Sequence, residues 1–171
     1  MITIRREQAG DEAQIRTVTT RAFGQTAEAD IIDTLRKSCP EGVSLAAVRE
    51  DKIVGHILFT PAVIDGQDRR LQGMGLAPMA VLPEFQRQGI GSRLVEAGLQ
   101  EMRSAHQPYV IVLGHPNYYP RFGFLRASQY GIISEYDGVP DEAFMILVLD
   151  EPALKGISGV AKYRPEFSAA V

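Results

Sequence analysis

The chain has 171 residues, 45% of them hydrophobic, enough for one globular domain with a full core. Its formal net charge is −3 and charged residues make up 23%, so no basic excess points to nucleic acid and no long charge run points to a disordered tail. The N-terminus, Met1-Ile2-Thr3-Ile4-Arg5-Arg6, has no apolar signal core, no apolar run reaches the ~18 residues that span a bilayer, and a cytoplasmic protein is expected.

Residues 2–6 read as a first strand, with Ile2 and Ile4 alternating with polar neighbours. Asp11 is expected to cap a helix running to about Phe23, with Ile15, Val18, Thr19 and Ala22 on one face. A second helix is expected from about Glu28 to Ser38, ended by Pro40 and Gly42. Ser44–Arg49 and Ile53–Val63 flank a polar turn and predict a hairpin. Leu71–Leu82 is the next strand. It carries Gly73, Gly75 and Pro78, and proline cannot donate to a ladder, so a bulge or an edge is expected there. A helix follows from about Gly89 to Ala105, with Ile90, Leu94, Val95, Gly98 and Met102 at spacings of three to four. Tyr109–Leu113 is a near-continuous apolar run, as in a strand buried on both faces of a parallel pair. A short helix or turn is expected over 116–122, then strands at Ile132–Ser134 and Ala143–Leu149. Residues 151–171 are weakly patterned and read as an extended arm packed on the domain formed by residues 1–150. Such an arm could cross to a second subunit and make a homodimer.

The stretch Gln86-Arg87-Gln88-Gly89-Ile90-Gly91-Ser92 lies between the extended apolar run Met74 to Leu82 and the amphipathic helix. Glycines one residue apart let backbone approach a ligand closely. A helix start leaves N–H donors without intrahelical partners, and with the helix dipole they make a seat for phosphate. The NTPase loop G-x-x-x-x-G-K-[ST] is excluded, because no lysine precedes Ser92 and no glycine lies five residues before Gly91. The dinucleotide pattern G-x-G-x-x-G/A fails at Leu94. The stretch does fit Q/R-x-x-G-x-G/A through Gln86, Gly89 and Gly91, although a plain glycine-rich strand-to-helix turn would show the same residues.

That pattern resembles the acyl-CoA pyrophosphate loop of the GNAT N-acetyltransferase superfamily. Gly75-Leu76-Ala77-Pro78-Met79-Ala80-Val81-Leu82-Pro83-Glu84-Phe85-Gln86 resembles the superfamily's central strand, and Tyr118-Tyr119-Pro120-Arg121-Phe122-Gly123-Phe124 its Y-x-x-x-G-F segment. Gly55-His56-Ile57-Leu58-Phe59 and Glu142-Ala143-Phe144-Met145 add similarity to the YhbS-type branch of predicted acetyltransferases. The resemblance covers about residues 2–150. It implies an α/β fold (an α+β mixed sheet) of order β-α-α-β-β-β-α-β-α-β-β with a bulged central strand.

It also implies acetyl transfer from acetyl-CoA to an amine. The backbone of Gln86, Arg87, Gln88, Gly89, Ile90, Gly91 and Ser92 would hold the pyrophosphate, with the Ser92 hydroxyl an extra donor. Met79, Ala80 and Val81 would pair with the pantetheine arm as another strand would. By resemblance Tyr119 is the general acid for the departing thiolate, since a phenol of pKa about 10 is protonated at neutral pH. Tyr118 is its competitor, and both could instead be core aromatics. Glu28 is the candidate contact for the substrate amine, against its ordinary reading as an acidic residue in a first helical turn. His56 reads as structural, Glu84 as solvent-facing, and His115 could line the pocket. The scattered histidines and the single Cys39 offer no metal-ligand spacing and no acyl carrier, so no metal is expected and direct attack is favoured. A non-catalytic acyl-CoA-binding sensor would keep the loop and could lose the acid.

Overall fold

A two-residue turn sets the first hairpin. Arg49 pairs with Lys52 across it, and the residues between, Glu50 (φ 49°) and Asp51 (φ 65°), are both left-handed, as a type I′ turn requires. The strands it joins are β2 (Val43–Arg49) and β3 (Lys52–Gly66). The computed structural model describes residues 1–170, which form two compact units. The first comprises Met1–Phe59, Ala77–Gln100 and the C-terminal residues from Pro165; the second comprises Thr60–Leu76 and Glu101–Arg164. Strand β3 and strand β4 (Arg70–Val81) therefore contribute to both.

In the first unit β1 (Ile2–Arg6) pairs antiparallel with β2, and β2 antiparallel with β3, with a register shift between Ala47 and Val48. Helices α1 (Glu12–Phe23) and α2 (Ala27–Ser38) bury Ile15, Val18, Ile31, Ile32 and Leu35. Asp11 does not cap α1 through its side chain as the sequence suggests. Its carboxylate instead accepts from the Arg5 guanidinium and from the Gln8 N–H, each at 2.7 Å, so it faces back toward β1 and away from the first turn of the helix. Helix α3 (Ile90–Ser104) lies tightly on β3: Leu94 meets Gly55, and Gly98 faces the buried ring of Phe59, where any Cβ would overlap the ring. Gly98→Ala is expected to destabilise the protein by about 1–3 kcal/mol, despite alanine's better helix propensity, because the added methyl group overlaps the fully buried Phe59 ring. The midpoint of urea unfolding measures it.

In the second unit β4 runs parallel to β5 (Tyr109–Leu113), with Met74, Gly75 and Leu76 opposite Val110, Ile111 and Val112. Strand β8 (Phe144–Val148) pairs antiparallel with β5, and the two-residue β6 (Leu125–Arg126) with β8. The sheet is mixed. Gly73 and Gly75, which read as strand breakers, are instead openings for aromatic rings. A Cβ on Gly73 would come within 2.6 Å of Tyr109, and one on Gly75 within 2.6 Å of Tyr163. The short helix or turn expected over 116–122 is a single 3-10 turn, Tyr119–Phe122, ended by the left-handed Gly123. The C-terminal segment is not an extended arm. It forms a short α4 (Glu151–Leu154) and a strand β9 (Gly159–Lys162) that pairs antiparallel with β3 and parallel with β7 (Ile132–Ser134).

Candidate active site

The loop of the first unit is held at several points. Leu82 adds one more backbone bond onto the sheet, its N–H donating to Val54 at 2.9 Å, and Pro83–Phe85 form a 3-10 turn. The Gln86 side-chain amide donates back to the Val81 carbonyl at 3.0 Å, so this residue of the loop pattern closes the loop on β4. Gln88 donates to the Glu84 carbonyl at 3.4 Å. Glu84 is exposed, as expected, and in addition both its oxygens accept from Arg21 on α1, at 2.8 and 2.9 Å, a bidentate pairing that ties the turn to the helix.

Within this frame Arg87 (φ 63°) and Gly89 (φ 84°) are both left-handed, with Gln88 between them. Left-handed residues in such a loop turn successive N–H groups toward a common concavity, an anion-binding arrangement. Gln86 to Gly89 are exposed, while the Ile90 side chain is 3% exposed and anchors α3 in the core, so Ile90 has only main chain to offer. The first helical bond runs from the Arg93 N–H to the Gly89 carbonyl at 3.1 Å, which makes Gly89 the residue before a fifteen-residue helix. A Cβ added at Gly89 would meet nothing within 4 Å. Space, N–H donors and a helix dipole thus coincide, and they fit a diphosphate. Gly91 and Ser92 follow in the first turn, both half-buried; Met79 and Val81 are half-buried and Ala80 is buried on β4. Glu28 stands in the first turn of α2, where the Gln25 amide lies 3.1 Å from both its oxygens.

Tyr119 belongs to the second unit. The chain leaves β5 at Gly114, whose missing Cβ makes room for the Tyr119 ring, and the Tyr118 and Tyr119 N–H groups turn back to the His115 carbonyl at 3.1 and 3.4 Å. The ring is 7% exposed and packs edge-on against Phe124 and Tyr118, with centroids 5.7 and 5.1 Å apart. Burial pushes its pKa above the ordinary phenol value, with Tyr118 adding to the effect. Its hydroxyl donates to none of the described residues. Tyr118 is half-buried and carries the Arg121 guanidinium 4.5 Å above its ring. His115 is exposed.

A neighbour in this unit went unnoticed in the sequence. The buried Tyr163 hydroxyl lies 3.1 Å from the Leu76 carbonyl, to which it donates, and 3.4 Å from that of Ile111, an alternative acceptor at the end of the β4–β5 ladder. The only signal for it was the glycine at position 75, and nothing local links the two. His56 sits in the core of the first unit at 0% exposure, its Nε2 2.7 Å from the Ser44 hydroxyl. Among the described residues no group of three His, Cys, Asp or Glu could hold a metal ion, and no helix is long and apolar enough to cross a membrane.

Comparison with known proteins bears on these features. Residues 3–127 match the family model for an acetyltransferase (GNAT) domain. The chain is 47% identical to the uncharacterized N-acetyltransferase YjhQ of Escherichia coli (strain K12) over 117 residues, 67% of this chain and 64% of YjhQ. It is 31% identical to the uncharacterized N-acetyltransferase YhbS of the same organism over 166 residues, 96% of this chain and 98% of YhbS. The crystal structure of YhbS in complex with CoA superposes with a TM-score of 0.88 at 30% identity, covering 98% of this chain and 92% of that one. A GNAT family acetyltransferase from Brucella melitensis in complex with acetyl-CoA superposes with a TM-score of 0.77 at 32% identity, covering 98% of both. The mixed sheet, the glycine loop at the head of α3 and these likenesses agree, and the chain belongs to the GNAT family of acetyl-CoA-dependent acetyltransferases.

Proposed function

We propose that this protein transfers the acetyl group of acetyl-CoA to a primary amine by direct attack in a ternary complex. The observation that carries the reading is the loop at the start of α3, with left-handed backbone at Arg87 and Gly89 on exposed main chain. Its N–H groups from Arg87 to Ser92 would hold the pyrophosphate. Each such contact contributes about 0.3–1 kcal/mol, rising toward 2 when partly buried, so several together bind a dianion. Main chain at Met79, Ala80 and Val81 would pair with the pantetheine amides, and an N–H near Ala80 or Val81 would polarise the acetyl carbonyl.

The amine lone pair forms the new C–N bond as the carbonyl electrons move to oxygen. Collapse of the tetrahedral intermediate breaks the C–S bond, and Tyr119 gives its proton to the departing sulfur. The proton lost by the amine passes to water or to a carboxylate, and Glu28 is our candidate for meeting the amine. Cys39 argues against a covalent relay: it is 5% exposed and its thiol donates to Glu41 at 3.3 Å.

Thiol release measured across a panel of amines tests the reaction. The expected result is release that depends on the amine and obeys ternary-complex kinetics. Protection from heat by CoA with no release by any amine would identify a non-catalytic acyl-CoA sensor instead. The loop has its own test. Gly89→Ala puts a Cβ at φ 84° that meets no protein atom within 4 Å, so the fold should survive. Strain of about 1–3 kcal/mol and a methyl group in the ligand's path are expected to weaken acetyl-CoA binding at least about tenfold by calorimetry. Unchanged affinity would mean that the cosubstrate binds elsewhere.

A further inference from the structure

A cavity of about 490 Å³ opens within the first unit, between α1, the β2–β3 turn and the residues leading from β4 into the loop. Its volume falls in the range of small-molecule sites, about 300–1,000 Å³. Apolar groups from Val18, Val54, Leu82 and Phe85 line it, and the cations Arg21, Arg49 and Lys52 stand around them. The Arg21 charge is already matched by Glu84. Arg49 is not: its guanidinium lies 5.3 Å from the centre of the Phe85 ring, and neither it nor Lys52 forms an ion pair among the described residues. The remaining carboxylate of the lining is Glu50, at the tip of the turn. The cavity therefore presents an excess of one positive charge beside an apolar, partly aromatic wall. A guanidinium over a ring face spends no N–H on the ring, so its N–H groups stay available for a carboxylate or phosphate.

We propose that this cavity is a second small-molecule site, distinct from the acyl-CoA loop, which takes an organic anion with a flat apolar body and one carboxylate or phosphate monoester. Arg49 and Lys52 receive the charge, and Phe85 with Leu82 receives the body. Occupancy bears on the loop directly, because Leu82, Glu84 and Phe85 line the cavity and Gln86 is the next residue. The anion is thus an effector of acyl-CoA binding. Coupling between sites is reciprocal, so acyl-CoA must change the affinity for the anion by the same factor. That second part rests on the proposed cosubstrate site; binding of the anion does not.

Calorimetric titration of the full chain with phenyl phosphate and with benzoate tests it, benzyl alcohol serving as the uncharged control. Saturable binding of either anion but not of the alcohol is expected, and the stronger of the two tells phosphate from carboxylate. Arg49→Gln should weaken that binding about tenfold or more and leave CoA binding in the absence of the anion unchanged. Repeating the titration in saturating CoA separates the sites. Retained binding with a shifted affinity, matched by an equal shift in CoA affinity, is the expected result. No saturable binding in the millimolar range, equal affinity in the Arg49→Gln protein, abolition of binding by CoA, or an affinity for the anion that CoA leaves unmoved would each overturn the proposal. Failure of CoA itself to bind would sink the cosubstrate reading, while the anion titration of the free protein would still report on the cavity.

Discussion

Tyr119→Phe is expected to lower kcat about 10²–10⁴-fold, the usual contribution of a positioned proton donor, while the affinity for acetyl-CoA changes by less than about threefold. The substitution removes one oxygen and no packing. The edge-on contacts of the ring with Phe124 and Tyr118 remain, and among the described residues no hydrogen bond to or from the hydroxyl is lost. Stability should therefore hardly move. Burial raises the phenol's pKa, so the proton stays in place beyond the ordinary value of about 10, and an alkaline limb of kcat from this group should lie above it. Steady-state thiol release and calorimetry with CoA measure the two quantities. Preserved turnover with a large loss of affinity would show that Tyr119 binds the cosubstrate and is not the acid.

Acid should destabilise the protein well above the carboxylate range, and His56 is the reason. The Ser44 hydroxyl has one proton and gives it to the Glu7 carboxylate at 2.6 Å, so the 2.7 Å contact between Ser44 and His56 needs a proton on Nε2. The neutral ring then has a bare Nδ1, which has no partner in a fully buried site. Charging the ring would bury a cation with nothing to accept its second proton. Burial accordingly lowers the pKa from 6.5 to about 4, against the pull of Glu7. Between those values the unfolded chain binds a proton that the folded chain refuses, so stability falls as pH falls from 6.5 to about 4 and this group adds no further loss below that. The shift corresponds to roughly 3 kcal/mol. Glu7 extends the effect downward. Burial opposes its ionisation, but hydrogen bonds from Arg36 and Ser44 prevail and hold its pKa below the usual value, so its contribution is lost only as pH falls through that lower value. Urea midpoints measured across this range should slope in the wild type and flatten above pH 4 in His56→Gln, which keeps an amide donor toward Ser44. An undiminished slope in the variant would assign the proton uptake to another group.

Much of this architecture was legible in one dimension. Tyr109–Leu113 announced a strand because five successive apolar residues suit burial on both faces, and β5 has those bounds. The helical spacing of Ile90, Leu94, Val95 and Met102 gave α3, and all four are buried. Gln86, Gly89 and Gly91 announced the loop because left-handed backbone and a helix start are properties of neighbouring residues. Other features left no such trace. The glycines at 73 and 75 looked like breaks in a strand and Gly98 like one more position of a helical stripe, yet these three, with Gly114, are the openings into which Tyr109, Tyr163, Phe59 and Tyr119 fit. Asp11 was a sound cap by type, and Arg5 claimed it. Glu84 is the solvated acid it looked like, but nothing local foretold that Arg21, 63 residues away, reaches both its oxygens. The C-terminal residues had too little periodicity to read, because β9 takes its hydrogen bonds from β3 and β7 and needs no amphipathic pattern of its own. Periodicity and backbone handedness are local quantities, carried by residues a few positions apart. Which ring fills the space of a missing Cβ, and which cation reaches a given carboxylate, depends on groups that meet only after the chain has packed.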